Sequence, residues 1–553
     1  MILINFFETF IFIYLSSIII IGWSNFLTTS IKIEFPELHE KVIFGSFAIG
    51  SVALFLNFFT SLNHVITNII ALIGVIFFLK ETDKFKNLKV LLLITSFAFI
   101  TFIFEKPNSP DAGLYHLPYI SNLNENKIIF GLSSLHGRFG YASFFQYISA
   151  AFNNTIFNKN GIFIPLVIIY SSTVLFFFKE AVFRNNIEIK KIFSFLFLLV
   201  ILFNMNRFSE FGNDKVTHMI FFYFIYAVIN FSLDIKNFNN KFTKILILSL
   251  FIFIAKSAYA IIIIIILYLL IKYRSKIKIL NFSNFLILMI FFMWIFKNIL
   301  ITGCAIYPKS YTCFEKLSWS NSKIINHDEV VIEAWSKGYP DYKDKKSMDK
   351  YIENFNWINT WSSNHLVFII KKNIPIFILF LSLIIFFKKD LINRKKNEKS
   401  IFNILFLVSP LFVFFWLFNF PDWRFGAGFI YLIIITITSY FLVSITDKNL
   451  LFKILKNISL IFIVLVCFKN FKRIYTNYEI KYDDYPYVHI VSNQKNSVLK
   501  YKKVYFKNSF QNFYYFSINE SSCFYGPSPC THNKDLKLNI KEKFNYKIIT
   551  EYK

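Results

Sequence analysis

Asp111, His116, His136 and Arg138 fall in one stretch, Glu105 to Asn154, that is unlike the apolar segments on either side of it. It mixes Pro, Gly, two His, an Arg and a lone Asp with aromatic residues, whereas most other loops are short and basic. Chemistry concentrates in such connections. Three further places carry charge where little is expected: Glu210 and Asp214 in RFSEFGND, Asp422 and Arg424 in PDWRFG, and Lys256 in IAKSAYAI, with Lys297 near the end of a long apolar run. A carboxylate of this kind can take a proton from an acceptor hydroxyl. Two carboxylates and a His can hold a divalent cation, Mg or Mn. Arg138, Lys256, Lys297 and Arg424 can clamp a phosphate that departs as a leaving group. Asp111, Glu210 and Asp214 are therefore the candidate catalytic carboxylates. His116, His136 and Asp422 could tune a base or bind a cation, although a loop histidine is also commonly just hydrogen-bonded. Taken singly, each charge reads equally as a solvated end of a helix; together they form a kit for moving a group from a lipid phosphate to an acceptor at a membrane surface.

The elements that must position these residues are apolar helices. The 553-residue chain is 55% hydrophobic, and apolar runs of membrane length recur from end to end, which makes it a polytopic helical membrane protein. Fourteen apolar segments lie near residues 6–24, 43–60, 65–79, 88–104, 161–178, 192–204, 216–233, 245–255, 259–271, 285–301, 372–387, 401–419, 427–445 and 455–468, several of them shorter than the ~20 residues a span needs. The first has neither a basic start nor a small-residue cleavage site, so it reads as a span and not a removed signal. The net charge of +27 could point to nucleic acid, but its placement argues otherwise. Basic clusters occupy alternate loops: Lys80 to Lys89, Lys179 to Lys191, Lys236 to Lys244, Lys272 to Lys278, Lys388 to Lys399, and Lys448 to Lys456. The positive-inside rule makes those loops cytoplasmic. The N-terminus, the loops 105–160, 205–215, 302–371 and 420–426, and a tail of residues 469–553 then face outward, leaving 1–468 as the membrane core.

The cysteines offer a separate test of that orientation. Cys304 and Cys313 share one outward loop, Cys523 and Cys530 share the tail, and Cys467 ends the last span. Close pairs on the oxidising side fit disulfides Cys304–Cys313 and Cys523–Cys530; a metal site is the alternative, without the spacing or His companions of zinc ligation. The segment Phe242 to Tyr273 is interrupted only by Lys256-Ser-Ala-Tyr259 and is flanked by basic clusters, so it must turn back in two arms too short to cross. Lys256 at its tip either meets an anion, such as an acidic side chain or a lipid phosphate, or snorkels to water. Trp319, Trp335, Trp357 and Trp361 read as an interfacial belt or as sugar-stacking rings. The tail alternates charged and β-forming residues, as in KKVYFKN and FYYFSIN, and predicts a small α+β or β-rich domain or a cap on the core. GxGxxG, P-loop and HExxH signatures are absent from the sequence.

Several of these motifs carry a resemblance. Asp111 in SPDAGLYHLP, just past a span, and Glu210 or Asp214 in RFSEFGND, a few spans on, resemble the two acidic outward loops of the GT-C superfamily of integral membrane glycosyltransferases. The IAKSAYAI break resembles that superfamily's paired-helix segment with Lys. More narrowly, PDAGLYHLPYI, GLSSLHGRFGY, TGCAIYPKSYTCFEKLSW, PDWRFG and CFYGPSPCTH resemble a group of uncharacterised bacterial membrane proteins associated with surface-polysaccharide synthesis. The chain departs from the common GT-C pattern in having extra spans before the acidic loop and a lone Asp in place of an Asp-Glu pair. The resemblance implies a GT-C-like fold in the bacterial inner membrane, a polyprenyl-phosphate-linked sugar donor, a glycan or lipid-linked acceptor at the periplasmic face, and an inverting transfer. It also implies that Asp111 is a general base or metal ligand and that Lys256 or Arg424 contacts the donor phosphate. Two other classes remain open: a polysaccharide polymerase or ligase resting on the outward Arg residues, and a non-enzymatic flippase or transporter of the lipid-linked sugar.

Overall fold

The computed structural model describes residues 2–81, 84–102, 111–184, 188–208, 211–234, 237–277, 281–340, 345–387, 396–479, 501–505, 514–518, 522–533, 536 and 538–551. Glu210 and most of the basic run Lys388 to Lys399 lie outside the described residues. Every one of the fourteen apolar segments coincides with a helix. Ten are long and apolar enough to cross a membrane: Phe7–Ile31, Leu38–Asn57, Asn158–Val182, Asp214–Leu233, Phe238–Ala255, Phe282–Thr302, Ile358–Phe386, Ser400–Asn419, Trp423–Leu442 and Lys448–Thr476. His64–Leu79, Leu88–Thr101 and Ser257–Lys272 are shorter apolar helices, and Glu188–Asn204 is buried along nearly its whole length. The chain is thus a multi-pass helical membrane protein with a small C-terminal region of strands.

Apolar surface between helices drives little association inside a membrane, so close backbone approach has to hold them. Glycines supply it in the N-terminal layer. A Cβ on Gly22 would sit 1.7 Å from the Gly74 carbonyl oxygen, and one on Gly45 would sit 1.9 Å from that of Ile20. Helices Ile2–Ile31, Leu38–Asn57 and His64–Leu79 therefore pack tightly at these points. At one face of the bundle the helix ends are tied by ion pairs. Glu37 meets Lys179 and Arg184, Glu40 meets Lys244, Glu81 meets Lys41, and Glu188 meets Lys448. Lys179, Arg184, Lys244 and Lys448 belong to three of the alternate basic loops and Glu81 to a fourth, so those four loops gather at one face.

The opposite face carries the long connections. The segment after Asp111 was expected as a polar loop. It is instead a chain of short buried helices: a π-helical turn Ala112–His116, then Leu117–Glu125, 3-10 turns Leu132–Ser134 and Gly137–Tyr141, and Phe144–Ala151. Its aromatic and aliphatic residues explain the burial, with Leu117, Phe144 and Tyr147 fully enclosed. The last helix starts with a capping box in which Ser143 and Gln146 bond reciprocally, and the Ser143 hydroxyl donates to the Ala255 carbonyl at 2.8 Å. That bond fixes the segment to the place where the next pair of helices turns.

That turn corrects one expectation. The first arm before Lys256 is not too short: it runs Phe238–Ala255 and has crossing length, because the helix begins in the polar flank Asn239, Asn240 and Lys241 ahead of the apolar run. Lys256 itself is extended (φ −155°, ψ 108°), and the chain resumes as a 3-10 turn Ser257–Ile262 before helix Ile263–Lys272.

The tail forms β1 (Tyr501–Tyr505), β2 (Tyr514–Ile518), β3 (Cys530–Thr531), β4 (Leu538–Lys543) and β5 (Tyr546–Glu551). β2 pairs antiparallel with β1 and parallel with β3, and β4 and β5 form an antiparallel hairpin. Both pieces pack on the core. The Phe524 amide donates to the Gly113 carbonyl at 3.0 Å and the Ile549 amide to that of Phe130 at 2.9 Å. The Thr531 hydroxyl donates to the Leu135 carbonyl at 2.9 Å. Cys304–Cys313 and Cys523–Cys530 are disulfide-bonded, and Cys467 is free.

Candidate functional site

Five of the residues singled out in the sequence meet at the face of the long connections. Arg424, at the start of Trp423–Leu442, is the hub. Its Nη2 donates to Asp111 Oδ2 at 2.7 Å and its Nε to Asp214 Oδ2 at 2.9 Å. Arg138 Nη1 reaches the other oxygen of Asp111 at 3.3 Å. Lys256 Nζ donates to Asp214 Oδ1 and, at 3.2 Å, to the Arg424 carbonyl; it also lies 4.4 Å from the centroid of the Phe425 ring. Two carboxylates, two arginines and a lysine are thus joined in one network, with one excess positive charge when all five are ionised.

Local structure explains how each is held. Asp214 opens its helix, where the unsatisfied N–H groups and the dipole favour an anion. Asp422 caps the helix carrying Arg424, its Oδ1 accepting the Arg424 N–H at 2.8 Å. The turn before it is clamped by two indoles: Trp361 Nε1 donates to the Pro421 carbonyl at 2.6 Å and Trp416 Nε1 to that of Asp422 at 2.8 Å. Two tryptophans therefore do structural duty here. A Cβ on Gly428 would lie 2.3 Å from the Tyr259 hydroxyl, so a larger residue there would push that ring aside. Tyr259 in turn bonds His218 Nδ1, and His218 Nε2 pairs with the Arg424 carbonyl at 3.2 Å.

Exposure grades across the network. The side chains of Arg138 and Arg424 are 48% and 44% exposed, those of Asp111 and Asp214 are 22% and 21%, and that of Lys256 is 8%. The guanidinium groups are open to an arriving anion while the ammonium holds the floor. Lys256 meets an acidic side chain, the first of the two partners its position allowed.

The remaining candidates fall elsewhere. His116 is buried, with Nδ1 paired to Gln146 Nε2 at 3.0 Å; burial pushes it down to about 4, so it is neutral near pH 7. His136 faces His532 of the tail at 4.7 Å between ring centroids, and burial pushes it down to about 3. Lys297 is enclosed with its Nζ 3.6 Å from the Trp294 ring centroid and does not enter the network. Asp422 approaches His365 at 3.6 Å. Among the described residues no three His, Cys, Asp or Glu side chains are grouped to hold a metal ion. Asp111 and Asp214 are both paired with Arg424. Sequence reasoning missed His218, Tyr259 and Gln146. His218 alone had a signal, since it lies four residues from Asp214 on one helix face.

No curated protein and no solved structure matches this chain. A family model does, over residues 1–431, a span that contains every member of the network from Asp111 to Arg424 and ends before the C-terminal strands. By that match the chain belongs to the family described as a domain of unknown function, DUF8201.

Proposed function

We propose that this protein is a GT-C-like membrane glycosyltransferase that moves a sugar from a polyprenyl-phosphate-linked donor to a glycan or lipid-linked acceptor. In this reading the core has about fourteen transmembrane segments in the bacterial inner membrane, and the N-terminus, the network and the C-terminal strands face the periplasm. Both disulfides lie on the network's side of the bundle, which fits an oxidising compartment. The observation that carries the reading is the convergence of Asp111, Arg138, Asp214, Lys256 and Arg424 where helices end.

The chemistry follows from exchange of ion pairs. An arriving donor phosphate draws Arg138 and Arg424 from Asp111. Lys256 and Asp214, the more enclosed pair, keep Arg424 oriented. Asp111, released from its partners, accepts the proton of the acceptor hydroxyl. The acceptor oxygen bonds the anomeric carbon as that carbon's bond to the phosphate oxygen breaks, and the electron pair leaves on the phosphate beside the arginines. Attack from the face opposite the leaving group inverts the anomeric centre. No step needs a metal ion.

The exposure of the two arginines also favours a second reading, a polysaccharide polymerase or ligase that takes a polyprenyl-pyrophosphate-linked substrate at the same face without an acidic base. Mass spectrometry of lipid-linked and surface glycans in a deletion strain separates the readings. Loss of one sugar from the repeat supports transfer. Intact single repeat units that fail to lengthen support polymerisation, and intact donor trapped on the cytoplasmic leaflet supports transport.

A further inference from the structure

A second cavity, of about 960 Å³, opens between the core and the C-terminal strands. Its walls come from five separate places: Glu8 on the first helix, Leu62 to His64, the end of Leu117–Glu125, residues 153 to 160, and the tail at Tyr501 and Tyr525 to Pro527. Nothing in the proposed mechanism uses it.

Its chemistry differs from the charged network. Asparagines dominate, at 63, 124, 153, 158 and 160, together with two tyrosines. The titratable groups nearly balance, with Glu8 and Glu125 against Lys159 and His64. No pair of arginines waits for a phosphate. The wall is rigid where the tail meets it. Asn153 Nδ2 donates to Tyr525 Oη at 2.6 Å and to Asn124 Oδ1 at 3.1 Å, Tyr525 Oη donates to the same Asn124 oxygen at 3.1 Å, and Asn124 Nδ2 donates to the carbonyls of Leu62 and Ala150. Asn124 and the Asn153 amide nitrogen are thereby saturated. The side chains of Asn158 and Asn160 and Asn63 Nδ2 have no hydrogen-bonded protein partner among the described residues, so they are available to a ligand, while Lys159 Nζ lies 5.1 Å from the centroid of the Tyr525 ring. Hydroxyl-rich ligands need such a mixture of fixed amides, which donate and accept, beside aromatic ring faces.

Position adds the rest. Leu117–Glu125 continues directly from the π-helical turn that begins at Asp111. Fourteen residues separate Asp111 from Glu125, roughly 21 Å at helical rise. One continuous stretch thus has the charged network at one end and the amide-lined cavity at the other.

We propose that this cavity holds the neutral, non-reacting part of an acceptor oligosaccharide, with Asn63, Asn158 and Asn160 on hydroxyls and with Tyr501, Tyr525 and Lys159 forming the wall beside them. It rests on the transferase reading for the word acceptor, but not for carbohydrate binding itself. The tail, beyond the matched family region, then sets which glycan is extended.

The test uses full-length protein in detergent and, as probe, the oligosaccharides released by mild acid from the strain's own surface glycan, followed by saturation-transfer NMR. Wild type and Asp111→Asn bind the probe equally. Tyr525→Ala weakens binding about tenfold through loss of the wall ring and of the hydroxyl that ties Asn124 and Asn153 together. Asn160→Trp, a change at the cavity wall that spares the buried amide cluster, blocks it even if Tyr525→Ala fails to fold. Equal binding by wild type and Asn160→Trp, or no binding by either, overturns the proposal. Binding lost in Asn160→Trp alongside a surface glycan unaffected by gene deletion keeps the carbohydrate site and removes the transferase reading.

Discussion

Charged side chains meet at both faces of the helix bundle, and they meet differently. At the face of the basic loops, Glu40 takes Lys244 at 3.0 Å and the Tyr223 hydroxyl at 2.8 Å, and Glu180 takes Arg184 at 2.8 Å and the Tyr226 hydroxyl at 2.6 Å. Glu40 and Glu180 are enclosed, and each is satisfied by a cation and a phenol. At the other face Asp111 and Asp214 share Arg424, and the arginine side chains of the network are partly exposed. The first arrangement is complete as it stands. The second has surplus positive charge and exposed donors, and becomes complete when an anion arrives. Similar pair distances therefore conceal different purposes, which burial and partner count reveal.

Substitutions can break that contrast. The largest effect is expected at Arg424→Lys. A lysine cannot span Asp111 and Asp214 at once, so transfer should fall about 100-fold or more with the protein still folded; activity within threefold of wild type would remove Arg424 from the mechanism. Lys244→Ala should behave in the opposite way. It leaves Glu40 buried without its cation, a cost of about 3 kcal/mol by analogy with broken buried pairs, so thermal unfolding in detergent should drop while the specific activity of surviving protein holds. An unchanged unfolding temperature would show that this face is not the structural one.

Protons sharpen the contrast further. His116 is held down to about 4 by burial, whereas in the unfolded chain it titrates near 6.5. Between those values the unfolded chain binds the extra proton, so stability falls as pH drops from about 6.5 toward 4 and is flat above. His116→Gln should flatten part of that slope, as read from unfolding temperature against pH; an identical slope would mean His116 is charged in the fold. The smallest effect is expected at Lys297→Met, which alters a lysine outside the network and should leave transfer within twofold of wild type in membranes of matched content.

Much of this organisation could be read beforehand, and its limits have physical causes. The apolar runs located the helices because a membrane span must be apolar, but helix starts such as Phe238 hid in polar flanks. The cysteine pairs were legible because each lies within one short segment. Asp111, Arg138, Asp214, Lys256 and Arg424 were picked out by charge next to apolar runs, yet their meeting was not: 313 residues separate Asp111 from Arg424. Only the packing order of helices brings them together. The same limit made Lys297 look equivalent to Lys256. Both are cations near the end of a span, and only one faces a carboxylate. His116 looked like a cation ligand in a loop because the loop was read as solvated, when its aromatic content folds it inward.

The central claim is that Asp111 is the group on which transfer turns. The most direct test complements a deletion strain with wild type or Asp111→Asn at matched membrane levels and reads the surface glycan by gel and mass spectrometry. Restoration by wild type and not by Asp111→Asn is the predicted result. Equal restoration by both would contradict it and leave Asp111 as an anchor for two arginines.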